Sequence, residues 1–378
     1  MDDSYLTARP AGVDDHVLRL GLDAVRRVQV EPGPAGVPLL PGAVALALYG
    51  NRVVAREASG WALAYADRDG TPLAAEQRVP MTPETVFDIA SITKVFTALV
   101  LAQLVEEGAV ELGRPVVSYL PEFVDKDAVT VEQLALHTSG LPWWLPLWRD
   151  WPDRNARLAA VLRCPLEAPA GTRYTYSDLN LITVQLLLEH VTGQTLDLLV
   201  QQRISGPLGM CRTTFGRADA TRCAATEDEH DAGRGMVRGE VHDENAWSLG
   251  GVSGHAGLFS TADDLARLAQ CLIDDGRYDG GRLLGECGLS LATTDRRGVP
   301  GEGRSLVLDI DRPAWMGALS GPRTVGHTGF TGTSLAVDLD RGAAAILLTN
   351  RVHPSRERGS IHPVRAAWAT AVADAIGG

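Results

Sequence analysis

The chain alternates between two hydrophobic rhythms. Near the N-terminus, His16, Leu18, Leu20, Leu22, Val25 and Val28 define the apolar side of an amphipathic helix, which the run EPGPAGVPLLPG ends. GAVALALY (42–49) and RVVAREASGWALAYA (52–66) then read as two strands of a hairpin with Gly50-Asn51 at the turn. From about residue 91 to 275 the period is helical, over 91–107, 131–137, 153–163, 177–192, 196–202 and 261–275. The stretch 210–250 breaks this rhythm. It is polar, charged and Gly-rich, and reads as a long ordered excursion. From about 300, RSLVLDI, RTVGHTG, TSLAVDLD and AAAILLTN return to strand character, and 364–376 predicts a final helix. Strands at both ends with helices between predict a single α+β unit spanning 1–378. Its expected lobes are about 1–90 plus 290–378, and a mainly helical lobe of about 91–289. The cleft between the lobes is the expected site.

Composition narrows the function classes. With 378 residues, 45% of them hydrophobic and 22% charged, the chain has ample material for a core, which excludes disordered and fibrous classes. A formal net charge of −12 argues against nucleic acid and anionic membranes as partners. The longest apolar runs, 43–49 and 95–105, fall far short of the roughly 20 residues needed to cross a bilayer. MDDSYLTARP lacks the basic-then-apolar pattern of a secretory signal, and the odd set of five cysteines contains no CxxC. These features predict free thiols and a cytoplasmic location. Among 35 basic residues only Lys94 and Lys126 are lysines, which makes each informative.

Several chemistries are missing from the sequence. No P-loop, strand-borne GxGxxG, HExxH or paired-cysteine motif occurs, and GVSGHAG (251–257) lacks a glycine of the GxSxG elbow. No cofactor and no metal are expected. What remains is Ser91-Ile92-Thr93-Lys94, which opens the nearly all-apolar VFTALVLA. A helix apolar on all sides must be buried. Lys94, three residues after Ser91, shares its helical face. Serine needs a base before it becomes a nucleophile, and a buried ammonium with a depressed pKa is such a base. A helix N-terminus also favours developing negative charge. The same residues fit a plainer arrangement, a capping serine followed by a snorkelling lysine.

Two further motifs shift the balance. Tyr176-Ser177-Asp178-Leu179-Asn180 follows a Pro/Gly-rich turn and opens a helix, and His327-Thr328-Gly329 lies in a strand-like stretch near the C-terminus. In this order, SxxK, a YxN-like motif and a KTG-like motif resemble the serine β-lactamase and penicillin-binding-protein superfamily. The class C β-lactamase-like branch, with its esterase, D-aminopeptidase, muropeptide amidase and transacylase relatives, is the most similar. HTSGLP (137–142) and GLFSTADDLARL (257–268) resemble it too, so the likeness spans roughly 42–350. It implies a β-lactamase/transpeptidase-like fold, an antiparallel sheet flanked by terminal helices with an inserted mainly helical lobe. It also implies that Ser91 is acylated, that Lys94 accepts its proton, and that Tyr176 is the second acid/base. The backbone N–H groups of Ser91 and Phe330 would form the oxyanion hole.

The sequence departs from this pattern twice. His327 stands where the family has lysine, which removes a fixed charge for a carboxylate. Asp178 stands at the amide position of YxN; it either caps the helix, pairs with Lys94 or repels an anion, and Asn180 is the alternative amide. Asp178, Asn180, His327, Thr328 and Gly329 are the expected substrate contacts. Trp143 and Trp144, in the Trp-rich LPWWLPLWRDW, are either a cleft wall or core. The segment 239–260 resembles a subgroup containing penicillin-binding-protein 4B-like proteins and muramoyl-alanine amidases. Its His242, Asp243, Glu244 and His255 are loop residues, cleft lining or metal ligands, and His255 is taken as a substrate contact. His137 reads as structural. The expected function is a serine acyl-enzyme hydrolase acting on an ester or amide of a small-molecule or peptide-like substrate. The alternative is a cytosolic transacylase that passes the acyl group from an ester donor to an amine or alcohol.

Overall fold

The computed structural model describes residues 12–33, 36–301, 303–306 and 308–377. Its centre is a seven-stranded antiparallel sheet. The strand order is Asp309–Ile310, Thr324–Thr328, Ser334–Asp338, Ala343–Thr349, Gly42–Tyr49, Arg52–Leu63 and Val79–Pro80. The pairing of Gly42–Tyr49 with Ala343–Thr349 closes the sheet from both ends of the chain, as the strand pattern predicts.

These two central strands show why the sheet has a helix layer on one face and the inserted lobe on the other. Side chains alternate across a strand. Val44, Leu46 and Leu48, with Ala344, Ile346 and Leu348, pack into the large core shared with the helical lobe. Ala43, Ala45 and Ala47, with Ala343, Ala345 and Leu347, face the terminal helices Asp15–Arg27 and His362–Ile376. The small residues let the helices approach closely. Gly21 continues the same logic, because a Cβ there would collide with Ala371 on the partner helix.

The first helix is capped by Asp14, whose carboxylate accepts the N–H groups of His16 and Val17. Leu18, Leu22 and Val25 are buried as expected, but Leu20 is 55% exposed. Two residues from both Leu18 and Leu22, it is turned about 200° away from each. The expected strand over 304–310 is also revised. Only Asp309–Ile310 joins the sheet, while Arg304 bridges back to Asp309 in a tight turn that buries Leu306 and Leu308. Those two leucines fill the core between the lobes, so their apolarity signalled burial rather than sheet.

The inserted lobe is built around the helix Thr93–Glu106, buried continuously from Thr93 to Leu104. Asp178–Thr192, Leu196–Val200 and Glu286–Thr293 pack against it. The excursion 210–250 folds into short strands, among them Thr214–Phe215, Ala225–Asp228 and Met236–Arg238, and the helix Glu244–Ser248. Thr214–Phe215 returns to a small sheet with Leu258–Ser260 and Phe87–Asp88, the strand that leads into Ser91. All five cysteines are unpaired, and only Cys211 and Cys287 are exposed. Among the described residues, no helix is long and apolar enough to cross a membrane.

Candidate active site

Ser91 sits where a strand turns abruptly into the buried helix. Buried Asp88 organises that turn: one carboxylate oxygen accepts the Ala90 N–H at 2.8 Å, and the other accepts the His242 N–H at 2.7 Å. Ala90 itself takes the left-handed backbone region at φ 46°, a strained conformation for a residue with a Cβ. The helical turn Ala90–Ile92 then carries the Ser91 side chain out beside Lys94.

Lys94 is 0% exposed, yet its ammonium is fully satisfied. Nζ donates to Ser91 Oγ at 2.8 Å and to the His255 carbonyl at 3.1 Å, and it pairs with Asp178 Oδ1 at 2.8 Å. The Tyr176 ring centroid lies 4.8 Å from Nζ. Burial alone would lower the lysine pKa. The Asp178 carboxylate, followed by the Tyr176 phenol, outweighs it and holds Lys94 above its ordinary range. The expectation of a depressed lysine is therefore overturned. In this arrangement the ammonium has three acceptors, and the serine oxygen is one of them.

Tyr176 is fixed from behind. The Ser177 N–H donates to His137 Nδ1 at 3.0 Å, and the Ser177 hydroxyl donates to Pro142 O at 2.6 Å. The Tyr176 ring lies between two imidazoles, with centroids 4.7 Å from His137 and 6.1 Å from His327. Both imidazoles are buried. Desolvation, then the cations nearby (Arg304 foremost for His137, Lys94 for His327), keeps both pKa values well below the usual histidine range. The position where the family has lysine is therefore neutral here.

The residues after His327 form the other wall. Gly329 donates its N–H to Thr333 O at 2.8 Å. The Thr331 hydroxyl donates to Asp88 O at 2.7 Å, and the Thr333 hydroxyl donates to Ile89 O at 3.1 Å. These bonds stitch the 329–333 turn to the strand before Ser91. A Cβ at Gly329 would strike Thr333 and the Ile89 carbonyl, so only glycine permits this approach. Among the described residues, neither the Ser91 N–H nor the Phe330 N–H has an acceptor within the chain.

The expected substrate contacts divide into two groups. Asp178 and Thr328 are partly accessible, Trp143 is 62% exposed, and Trp144 stacks on it at 5.7 Å. The Asn180 side chain is not in the cleft. It lies beneath Tyr176, accepting from the Ser139 hydroxyl at 2.6 Å and reaching His137 Nδ1 at 3.2 Å. The His255 ring is likewise buried between Asp243 Oδ1 and Ser253 Oγ, each at 2.8 Å, and it meets Lys94 only through its carbonyl. Burial opposes the Asp243 charge, but His255 beside it prevails and keeps that carboxylate far below its ordinary range.

Two groups of side chains have the spacing of metal ligands: Asp178, Asp243 and His255, and Glu227, Glu229 and His242. Protein cations already pair with both, Lys94 with Asp178 in the first and Arg234 and Arg356 with the glutamates of the second. A separate cavity of about 430 Å³, lined by Leu198, Met210, Phe215 and Leu258 among others, includes none of the Ser91 constellation. Sequence reasoning missed Asp88, because no local spacing ties it to Ser91. It saw Asp243 only as one of several loop candidates.

Comparison with known proteins bears on the family and the fold. A family profile described as Beta-lactamase matches residues 38–368. A Salmonella agona protein provisionally named a D-alanyl-D-alanine carboxypeptidase is 30% identical over 398 aligned residues, covering 94% of this chain and 88% of its own. Its Escherichia coli counterpart is 31% identical, with 83% and 79% covered. Among solved structures, EstCE1, described as a hydrolase with promiscuous acyltransferase activity, superposes with a TM-score of 0.71 at 22% identity, covering 96% of this chain and 99% of that one. Family profile, relatives and fold agree with one another, and the chain belongs to the β-lactamase family within the serine β-lactamase and penicillin-binding-protein superfamily.

Proposed function

We propose that the chain is a serine ester hydrolase that carries its acyl group on Ser91. The supporting observation is the Ser91 Oγ held 2.8 Å from a lysine that Asp178 keeps charged, with Tyr176 against the same ammonium. In this reading Ser91 Oγ attacks the ester carbonyl, and its proton is relayed through the Tyr176 hydroxyl, which takes it up while handing its own proton on toward the leaving oxygen. The Lys94 ammonium holds Ser91 and Tyr176 in place for that relay. The carbonyl oxygen becomes an oxyanion facing the Ser91 and Phe330 N–H groups. As the carbon–oxygen bond breaks, the leaving alcohol takes up the proton that Tyr176 hands on. Water then attacks the acyl-enzyme, and its proton passes through the Tyr176 hydroxyl to Ser91 Oγ as the serine ester bond breaks and the acid departs.

The cleft favours a neutral substrate. His327 is uncharged, and Lys94 is already paired with Asp178. Trp143 and Trp144 supply an apolar rim. A peptide ending in a free carboxylate would find no unpaired cation at the His327 position. Esters with neutral acyl groups therefore fit better than the substrate named for the Salmonella relative. The test is turnover of p-nitrophenyl esters against D-alanyl-D-alanine peptides by wild type and Ser91→Ala, with and without added amines and alcohols. Faster ester turnover that needs Ser91 supports the reading. Preferred peptide cleavage, or transfer to an added acceptor exceeding hydrolysis in water, would replace it.

A further inference from the structure

The C-terminal helix sends a cation into the sheet. Arg365, on its first turn, is 5% exposed. One terminal guanidinium nitrogen donates to the Gly329 carbonyl at 2.7 Å and to the Thr333 carbonyl at 2.9 Å. Its Nε is buried without a partner. No carboxylate forms an ion pair with it among the described residues. Desolvation, reinforced by nearby Arg351, pulls its pKa below the ordinary arginine range. A buried cation without an anion is costly, and a neutral donor would satisfy two carbonyls equally well. The charge itself therefore calls for a role.

The acceptor indicates that role. The Gly329 C=O and the Phe330 N–H belong to one peptide unit, which is trans. In a trans planar unit the two groups point in opposite directions. A guanidinium on the carbonyl end draws electron density toward the oxygen and strengthens the N–H as a donor, because hydrogen bonds in a chain polarise one another. The Gly332 N–H also donates to the same oxygen, at 3.1 Å, so the carbonyl is held from two sides. The far end of this peptide is the Phe330 N–H, which has no protein acceptor among the described residues; the Thr331 and Thr333 hydroxyls tie its turn to Asp88 and Ile89, which lead into Ser91.

We propose that Arg365 is a positioning residue for catalysis: from behind the sheet it fixes and polarises the 329–330 peptide, so that the Phe330 N–H binds the oxyanion more strongly than an ordinary amide would. This rests on the reading that Ser91 is acylated and that Phe330 supports the oxyanion. Arg365 touches neither substrate nor Ser91. Its effect falls on the tetrahedral, negatively charged state and spares the neutral ground state.

The test compares Arg365→Gln and Arg365→Lys with wild type on a p-nitrophenyl ester. It measures kcat, KM and the inhibition constant of phenylboronic acid, which forms a tetrahedral anion on a nucleophilic serine. For Arg365→Gln we expect kcat and boronate affinity to fall together by about 10- to 100-fold with KM within about 2-fold, somewhat below the loss of a whole oxyanion donor. Arg365→Lys keeps the charge and should recover most of both. Unchanged boronate affinity in folded Arg365→Gln, or KM worsening as much as boronate affinity, overturns the proposal. If the glutamine variant does not fold, Arg365→Lys decides alone, and a loss of boronate affinity above about 10-fold overturns it. Fluorophosphonate labelling of wild type separates this from the underlying reading. Labelling at Ser91 with unaltered variants sinks only Arg365, whereas wild type unlabelled at Ser91 sinks both.

Discussion

The structure holds two clusters of carboxylate and histidine, and their difference locates the chemistry. In one, Asp178, Asp243 and His255 surround Lys94. In the other, Glu227, Glu229 and His242 are laced with Arg234 and Arg356, and His242 stacks on Phe330 with centroids 5.8 Å apart. Both are ion networks with nearly the same residue types, the second buried throughout and the first partly accessible at Asp178 and Asp243. The first spends one ammonium proton on a serine hydroxyl. The second has arginines, which do not exchange protons near neutral pH, and no nucleophile among its members. A buried network becomes an active site when one partner is a reactive group that opens to the cleft. Otherwise it is a scaffold, here one that backs the turn carrying Phe330.

This contrast can be broken experimentally. Ser91→Ala should abolish ester turnover, a fall of at least about 10³-fold, because nothing else in the first cluster is a nucleophile. Steady-state kinetics check this, and retained activity would relocate the site. Asp178→Asn comes next. It removes the strongest charge holding Lys94 protonated, so the lysine pKa should drop, and kcat should fall about 100-fold as the ammonium is lost from beside Tyr176. The surviving activity should decline with rising pH earlier than in wild type. A pH–rate profile identical to wild type would contradict the assigned role of the pair.

The second cluster should affect stability rather than rate. Burial foremost raises the Glu229 pKa to about 7, so the folded state holds a proton that the unfolded chain releases near pH 4.5. Stability from this group is complete below about pH 4.5 and is lost as pH climbs through about 7. Glu229→Gln keeps the site neutral and should flatten the decline between pH 5 and 8 by about 2 kcal/mol, read from urea unfolding at each pH. Its kcat at pH 7 should stay within about 3-fold of wild type, since no reacting atom is touched. The smallest effect is expected at the rim. Trp143→Ala should raise KM for aromatic esters by about 3- to 10-fold with little change in kcat, as suits lost uniform binding.

Legibility in the sequence followed the range of each interaction. The buried helix at Thr93–Glu106 and the 42–63 hairpin were readable because their patterns are local and unmixed. Ser91 and Lys94 were readable because three residues on a helix bring side chains together. Burial of Lys94 is visible in its apolar run, and pairing with Asp178 is one of the readings its motif allows, but which reading holds depends on two helices meeting. Asp88, the Asp243–His255 pair and Arg365 were hidden for the same reason, since their partners are distant in sequence. Asn180 and His255 drew attention as polar residues near motifs, but polarity alone does not say whether a side chain lines the cleft or supports it from beneath.

The most direct test is intact-mass spectrometry of the protein mixed rapidly with a p-nitrophenyl ester, for wild type and for Ser91→Ala. The account predicts a transient mass gain equal to one acyl group, mapped to Ser91 by peptide digestion and absent from the alanine variant. An adduct that persists in Ser91→Ala, or turnover by wild type with no adduct when the reaction is quenched during the burst, would contradict it.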